Sequence, residues 1–153
     1  MPGPGGATLT SPRERDRVPW WWVAGATVAV ALLHLWANHR IGHPSVVYDE
    51  AGYLGNARWI AGAGAGWEMP WSPRYAVGYP LLIAPLTRLF PDPAAQWRAI
   101  LVLNAVLLAS VLPLLHLVAR RVLGAGGRTA LLVATVGAVV PTVVAVSVSA
   151  IAE

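Results

Sequence analysis

Residues 18–37 read VPWWWVAGATVAVALLHLWA, and this apolar stretch decides the fold class. Twenty residues of α-helix, each rising about 1.5 Å, cross a hydrocarbon core of roughly 30 Å. Tryptophans at positions 20–22 and 36 are typical of the aromatic belts at the two membrane surfaces. A cleaved signal peptide is the alternative, because a basic segment precedes the stretch, but no clear A-x-A cleavage site follows it. We therefore predict a retained transmembrane helix over residues 18–37.

Two further apolar blocks, residues 99–119 and 129–151, are each long enough to cross a membrane. Small residues and single prolines interrupt them, and membrane helices tolerate both because neighbouring helices satisfy the freed backbone groups. A short turn, residues 120–128, joins the two blocks. The sequence therefore predicts an all-α membrane protein with about three transmembrane helices.

The composition agrees with this fold class and excludes several others. Of 153 residues, 56% are hydrophobic and 12% are charged, whereas a soluble domain has roughly 45–50% apolar and about 25% charged residues. The net charge of +4 comes from arginines in short clusters, with no lysine, so no nucleic-acid partner is expected. The sequence has no cysteine, which excludes disulfides, thiolate nucleophiles and cysteine-bound metals.

Arginines favour the cytoplasmic side of a bilayer, and here they mark two segments. Residues 1–17 hold three arginines among prolines and glycines, and we predict that they form a disordered cytoplasmic tail. The turn 120–128 holds three more arginines. Three spans place both segments on one side, so residues 38–98 are predicted to form an extracytoplasmic loop. The five arginines of that loop are spread along it and offset by four acidic residues.

Two short apolar segments lie within the predicted loop. Residues 50–61 favour a helix, with Asp49 as a plausible N-cap. A stripe that includes Ala57 and Ala61 recurs at helical spacing, which suits a helix lying in the membrane interface. Residues 79–90 are apolar but too short to span, so we expect a re-entrant or interfacial segment there.

The acidic pair Asp49 and Glu50 is the strongest candidate for chemistry. With their neighbours, residues 48–53, they read Y-D-E-x-x-Y. A carboxylate held near a membrane surface is costly unless paired, and a partly desolvated one can accept a proton as a general base. The structural alternative is that Asp49 caps a helix while Glu50 interacts favourably with its dipole.

Other charged residues offer weaker candidates. Glu153 follows the third block on the same predicted side as Asp49, where two carboxylates can share a metal ion or bind a sugar, unless Glu153 is simply a solvated end residue. Arg58, Arg74 and Arg88 are each able to bind a lipid phosphate, although snorkelling beside the headgroups explains each of them equally well. The four histidines show no common metal-ligand spacing, and we predict no role for them.

The order of these features resembles the GT-C superfamily of membrane glycosyltransferases. The resemblance consists of a first span, the D-E-x-x-Y motif in residues 48–53, G-Y-P-L-L-x-A-P-L in residues 78–86, and S-x-x-x-E in residues 149–153. The most similar members are the dolichyl-phosphate-mannose protein mannosyltransferases and the bacterial aminoarabinose transferases. The likeness extends over about residues 18–153.

The resemblance implies transfer of a sugar from a polyprenyl-phosphate donor to an unidentified acceptor on the outer side of a lipid membrane. It implies that Asp49 is the catalytic base for the acceptor hydroxyl and that Glu50 orients the loop or a cation. Arg74 is the candidate for the donor phosphate, Glu153 for the lining of the same cavity, and Tyr53 for substrate binding. Whether a divalent cation is required stays open.

The number of predicted spans bears on whether the chain is an enzyme by itself. GT-C enzymes usually have many more spans, so we expect the amino-terminal part of a longer enzyme, inactive by itself. The alternative is a small non-enzymatic multi-span membrane protein whose outer loop binds lipid or a partner subunit. A part of a transporter is a third possibility, but no charged residue lies in the middle of a predicted span, where coupling sites usually require one.

Overall fold

The structure, a computed structural model, describes residues 17–43, 48–63 and 76–140, with the backbone alone for residues 48–50. These residues form α-helices and no strands, which confirms the all-helical fold class. In chain order the helices are α1 (Trp20–Asn38), α2 (Tyr48–Ile60), α3 (Gly78–Leu89), α4 (Pro93–Arg121) and α5 (Gly127–Val139). The predicted tail, up to residue 16, and the second half of the third predicted span, residues 141–151, lie outside the described residues.

Helices α1 and α4 are long and apolar enough to cross a membrane. Only 11% of the apolar stretch of α1 and 33% of that of α4 are buried within the molecule, whereas the core helix of a soluble protein is mostly buried. The two helices therefore suggest membrane insertion. Helix α5 has 13 described residues, fewer than a span requires.

Small side chains hold α5 against α4 and α1. Ala130, Ala134 and Ala138 recur every four residues on one face of α5, and all three are buried. Small residues at this spacing let helix backbones approach closely, as they do in membrane bundles. The approach is tight at Gly137, where a Cβ atom would lie 3.1 Å from Cδ1 of Leu115 in α4.

The outer faces of the same three helices expose large apolar side chains. Examples are Val28 and Leu32 in α1, Val106 and Leu114 in α4, and Leu132 and Val136 in α5. So much exposed apolar surface is unfavourable in water and suits contact with lipid. Trp20 and Trp36 are 80% and 68% exposed at the two ends of α1, the positions that an aromatic belt requires.

A second apolar core joins α2 and α3 to the first half of α4. Its buried members are Ala57, Ala61, Ile83, Ala84, Trp97, Ile100 and Leu101. Because the stripe predicted for the loop helix contributes to this core, that face of α2 is covered by protein. The position of α2 relative to a membrane surface stays a prediction.

The starts of α4 and α2 differ from the predicted ones. Helix α4 begins before residue 99, at Pro93, because Oδ2 of Asp92 accepts a hydrogen bond of 2.8 Å from the backbone N–H of Ala95 and caps the helix there. The described part of α2 runs from Tyr48, so Asp49 lies within the helix and is not its N-cap.

The end of α2 is fixed by Gly62 and by α3. Gly62 has a φ of 64°, a conformation that glycine adopts without a Cβ clash, and the N–H of Ala63 donates to the carbonyl of Arg58 over 3.0 Å. Nε of Arg88 in α3 donates to the carbonyl of Ala61. These bonds satisfy carbonyls that the end of a helix leaves unpaired, and they attach α2 to its neighbour.

Candidate functional site

The two motif stretches of the predicted loop meet where α2 packs on α3. Tyr53 of α2 is buried, and its ring lies edge-on to the ring of Tyr79 of α3, with 5.8 Å between the centroids and 90° between the planes. This geometry sets the positive edge of one ring against the negative face of the other, which is worth about 0.5–1.5 kcal/mol beyond burial. The Y-D-E-x-x-Y and G-Y-P-L-L stretches therefore belong to one structural unit.

Tyr79 also connects this unit to α4. Its hydroxyl donates a hydrogen bond of 2.8 Å to Oδ1 of Asn104, which is buried. In the sequence, Asn104 is visible only as a polar interruption of an apolar block. An amide inside an apolar helix is costly without a partner, so such an interruption is itself a signal for a contact of this kind. We define Tyr53, Tyr79 and Asn104 as the aromatic–amide cluster.

The helical register relates the acidic pair to this cluster. Residues four apart share a face of a helix, and Tyr53, Ala57 and Ala61 form the buried face of α2. Asp49 holds the register position one turn before Tyr53 on that same face, and Glu50 holds the next position along the chain. By helical register, the acidic pair thus lies one turn before Tyr53 along the same face of α2.

The five candidate site residues differ in how far the structure describes them. The surroundings of Tyr53 are described, and they bring it to Tyr79. Asp49 and Glu50 are described as backbone within α2. Arg74 and Glu153 lie outside the described residues, so their convergence with Asp49 stays a prediction.

The other two arginines considered for a lipid phosphate have different surroundings. Arg58 is exposed on α2. Arg88 donates from Nε to the carbonyl of Ala61, so its side chain has a structural contact at the end of α2. The sequence did not predict this contact, because the two residues are 27 positions apart and belong to different helices.

Among the described residues, no group of three His, Asp or Glu side chains is placed to hold a metal ion. His34, for which the sequence predicted no role, is fully buried, and the buried Asn38 follows it one turn later on α1. The His34 ring nitrogens form no hydrogen bond of standard geometry with described residues, although the backbone of Ala138 in α5 is close enough to interact with the ring. His34 therefore lies in the contact between α1 and α5.

Comparison with protein-family models, curated proteins and solved structures finds no match to this chain. The functional argument therefore depends on the arrangement of the chain's own residues. Two tyrosine rings and a buried amide come together where α3 packs on α2 and on α4, and the backbone of the acidic pair lies one turn before Tyr53 in α2. These contacts fix the positions of the two motif stretches relative to each other and to α4.

Proposed function

We propose that the chain crosses the cell membrane three times with its amino terminus in the cytoplasm. Two long apolar helices and the packing of α5 against both support this topology. Arg17 before α1 and Arg128 in the first turn of α5 line one cavity, and Arg120 and Arg121 end α4 a short turn before α5. Because arginines favour the cytoplasmic side, residues 38–98 would lie on the opposite side with α2 and α3.

On that extracytoplasmic side we propose a glycosyltransferase site that uses a polyprenyl-phosphate-linked sugar. The contact between Tyr53 and Tyr79 carries this proposal, because it joins the two loop stretches that resemble GT-C enzymes. The register of α2 adds support, since Asp49 occupies the same face as Tyr53 one turn earlier. A single sugar-transfer site would explain both the contact between Tyr53 and Tyr79 and the position of Asp49.

In the proposed reaction Asp49 is the general base. The acceptor hydroxyl gives its proton to the Asp49 carboxylate while its oxygen forms a bond to the anomeric carbon of the sugar. The bond from that carbon to the donor phosphate oxygen breaks, and its electron pair leaves with the polyprenyl phosphate, for which Arg74 is the candidate partner. Glu50 orients the loop or a cation, and Tyr53 and Glu153 help to bind the sugar.

The test is Asp49→Asn in the complete gene product that contains this chain, assayed in membranes supplied with polyprenyl-phosphate-linked sugar. An amide cannot take the proton, so we expect the transfer rate to fall by about 10²–10⁴-fold. Asp92→Asn is the matched control, because Asp92 lies in the same predicted loop and caps α4. Asparagine caps a helix about as well as aspartate, so that variant should keep its rate.

Each outcome of this assay bears on the proposal. A wild-type rate for Asp49→Asn would remove this carboxylate from the mechanism. Equal losses in both variants would point to folding of the loop and would contradict a specific catalytic role. Absence of transfer by the unaltered protein would favour the non-enzymatic alternative, in which the outer loop binds lipid or a partner subunit.

A further inference from the structure

A cavity of about 500 Å³ lies between the start of α1 and the first turns of α5, away from the aromatic–amide cluster. Arg17, Trp22, Arg128, Leu131 and Leu132 are among the residues that line it. Its volume lies within the roughly 300–1,000 Å³ of pockets that bind small molecules. Nothing in the proposed sugar transfer uses this cavity.

The charged part of the cavity fits an anion. Arg17 and Arg128 both line the cavity, and no acidic residue is among the described residues that line it. A guanidinium binds a phosphate group through paired, charge-assisted hydrogen bonds. Helices α1 and α5 both begin beside the cavity without a side-chain cap, so their partial positive charges add to the attraction.

The rest of the cavity fits a hydrocarbon chain. Trp22, Leu131 and Leu132 form its apolar wall, and Trp22 and Leu132 are 54% and 65% exposed. A free phosphate ion would leave this wall without a partner, because an ion has no apolar surface to bury. An amphiphile satisfies both parts, with its charged head at the arginines and its chain along the wall.

We propose that this cavity binds an acidic phospholipid, whose headgroup phosphate lies between Arg17 and Arg128 and whose acyl chain packs on Trp22, Leu131 and Leu132. The proposal depends on the membrane topology given above, but not on sugar transfer. It gives the cavity arginines a specific ligand in addition to their general preference for the cytoplasmic side.

The experiment is native mass spectrometry of the purified chain in detergent with equal amounts of phosphatidylglycerol and phosphatidylcholine. We expect the unaltered chain to retain phosphatidylglycerol preferentially. Arg17→Gln combined with Arg128→Gln should reduce that preference by about tenfold or more. Each arginine near the membrane surface changes the affinity for an acidic lipid by about fivefold. The matched control, Arg120→Gln combined with Arg121→Gln, removes the same charge from the end of α4 without altering the described lining of the cavity and should keep the preference.

Three results would overturn the proposal. Equal retention of the two lipids by the unaltered chain would show that the cavity does not select an acidic headgroup. Equal loss in the two double variants would assign the preference to overall charge. Displacement of the retained lipid by excess inorganic phosphate would show that the cavity binds a free anion and that its apolar wall contributes nothing. None of these results depends on the Asp49 assay.

Discussion

Tyr79 contributes two different contacts at the candidate site. Its ring packs edge-on against Tyr53, and its hydroxyl donates to the amide oxygen of Asn104. The sequence indicated that Tyr53 and Tyr79 belong to notable motifs, but helical spacing relates residues only within one helix. Contacts between residues in different helices depend on how the chain folds back, so the aromatic–amide cluster could not be predicted from periodicity.

Replacement of Tyr79 by phenylalanine tests the polar half of this cluster. The change keeps the ring but leaves the buried Asn104 oxygen without this donor, so the free energy of unfolding should fall by about 1–3 kcal/mol. Combining Tyr79→Phe with Asn104→Leu removes both polar partners and should recover most of the loss. The measurement is the thermal unfolding midpoint of the detergent-solubilised chain. An unchanged midpoint for Tyr79→Phe alone would show that this hydrogen bond does not stabilise the fold.

At the scale of the helix, α5 depends on its row of alanines. Ala134 is fully buried in the core that α5 forms with Val30 of α1 and with Ala109 and Leu112 of α4. The close approach of the backbones leaves no room for a larger side chain on this face. The neighbouring Val133 is half exposed and is not a member of this core.

We expect Ala134→Leu to lower the free energy of unfolding by about 1–3 kcal/mol or more, because the added carbons overpack a tight helix contact. Val133→Leu adds one methylene group on the exposed face of α5 and should change stability little. The thermal midpoints of the two variants in the same detergent provide the comparison. Similar midpoints for both would mean that the alanine face of α5 is not a packed interface.

The sequence predicted the helices better than it predicted their ends. The apolar block at residues 99–119 located α4, but the helix begins at Pro93. Hydropathy alone missed its first two turns because they contain the polar Gln96 and Arg98. The Asp92-Pro93 pair was the available signal, because both residues are favoured at the start of a helix. For α2, the stripe of Ala57 and Ala61 identified the buried face, but not the helix α3 that covers it.

For the whole molecule, one group of arginines and the aromatic–amide cluster lie at different places in the helix bundle. Arginines collect where α1 begins, α4 ends and α5 begins, while the aromatic–amide cluster lies where α2 and α3 meet α4. Composition and block length predicted a membrane protein, and α1 and α4 agree with that prediction. The remaining candidate site residues are at positions 49, 50, 74 and 153. The sequence could not predict how far apart their side chains lie in the folded chain.

Cysteine labelling tests most directly the central claim, that α2 and α3 face the outside while the arginine-rich turn faces the cytoplasm. The sequence has no cysteine, so in each single-cysteine variant the maleimide can react only with the introduced cysteine of this chain. Gly42→Cys lies before α2 at an open position, and Leu123→Cys lies after α4 with 72% exposure. We predict that a membrane-impermeant maleimide labels position 42 in intact cells and position 123 only after the membrane is permeabilised. Labelling of position 123 alone in intact cells, or of both positions equally, would contradict the account.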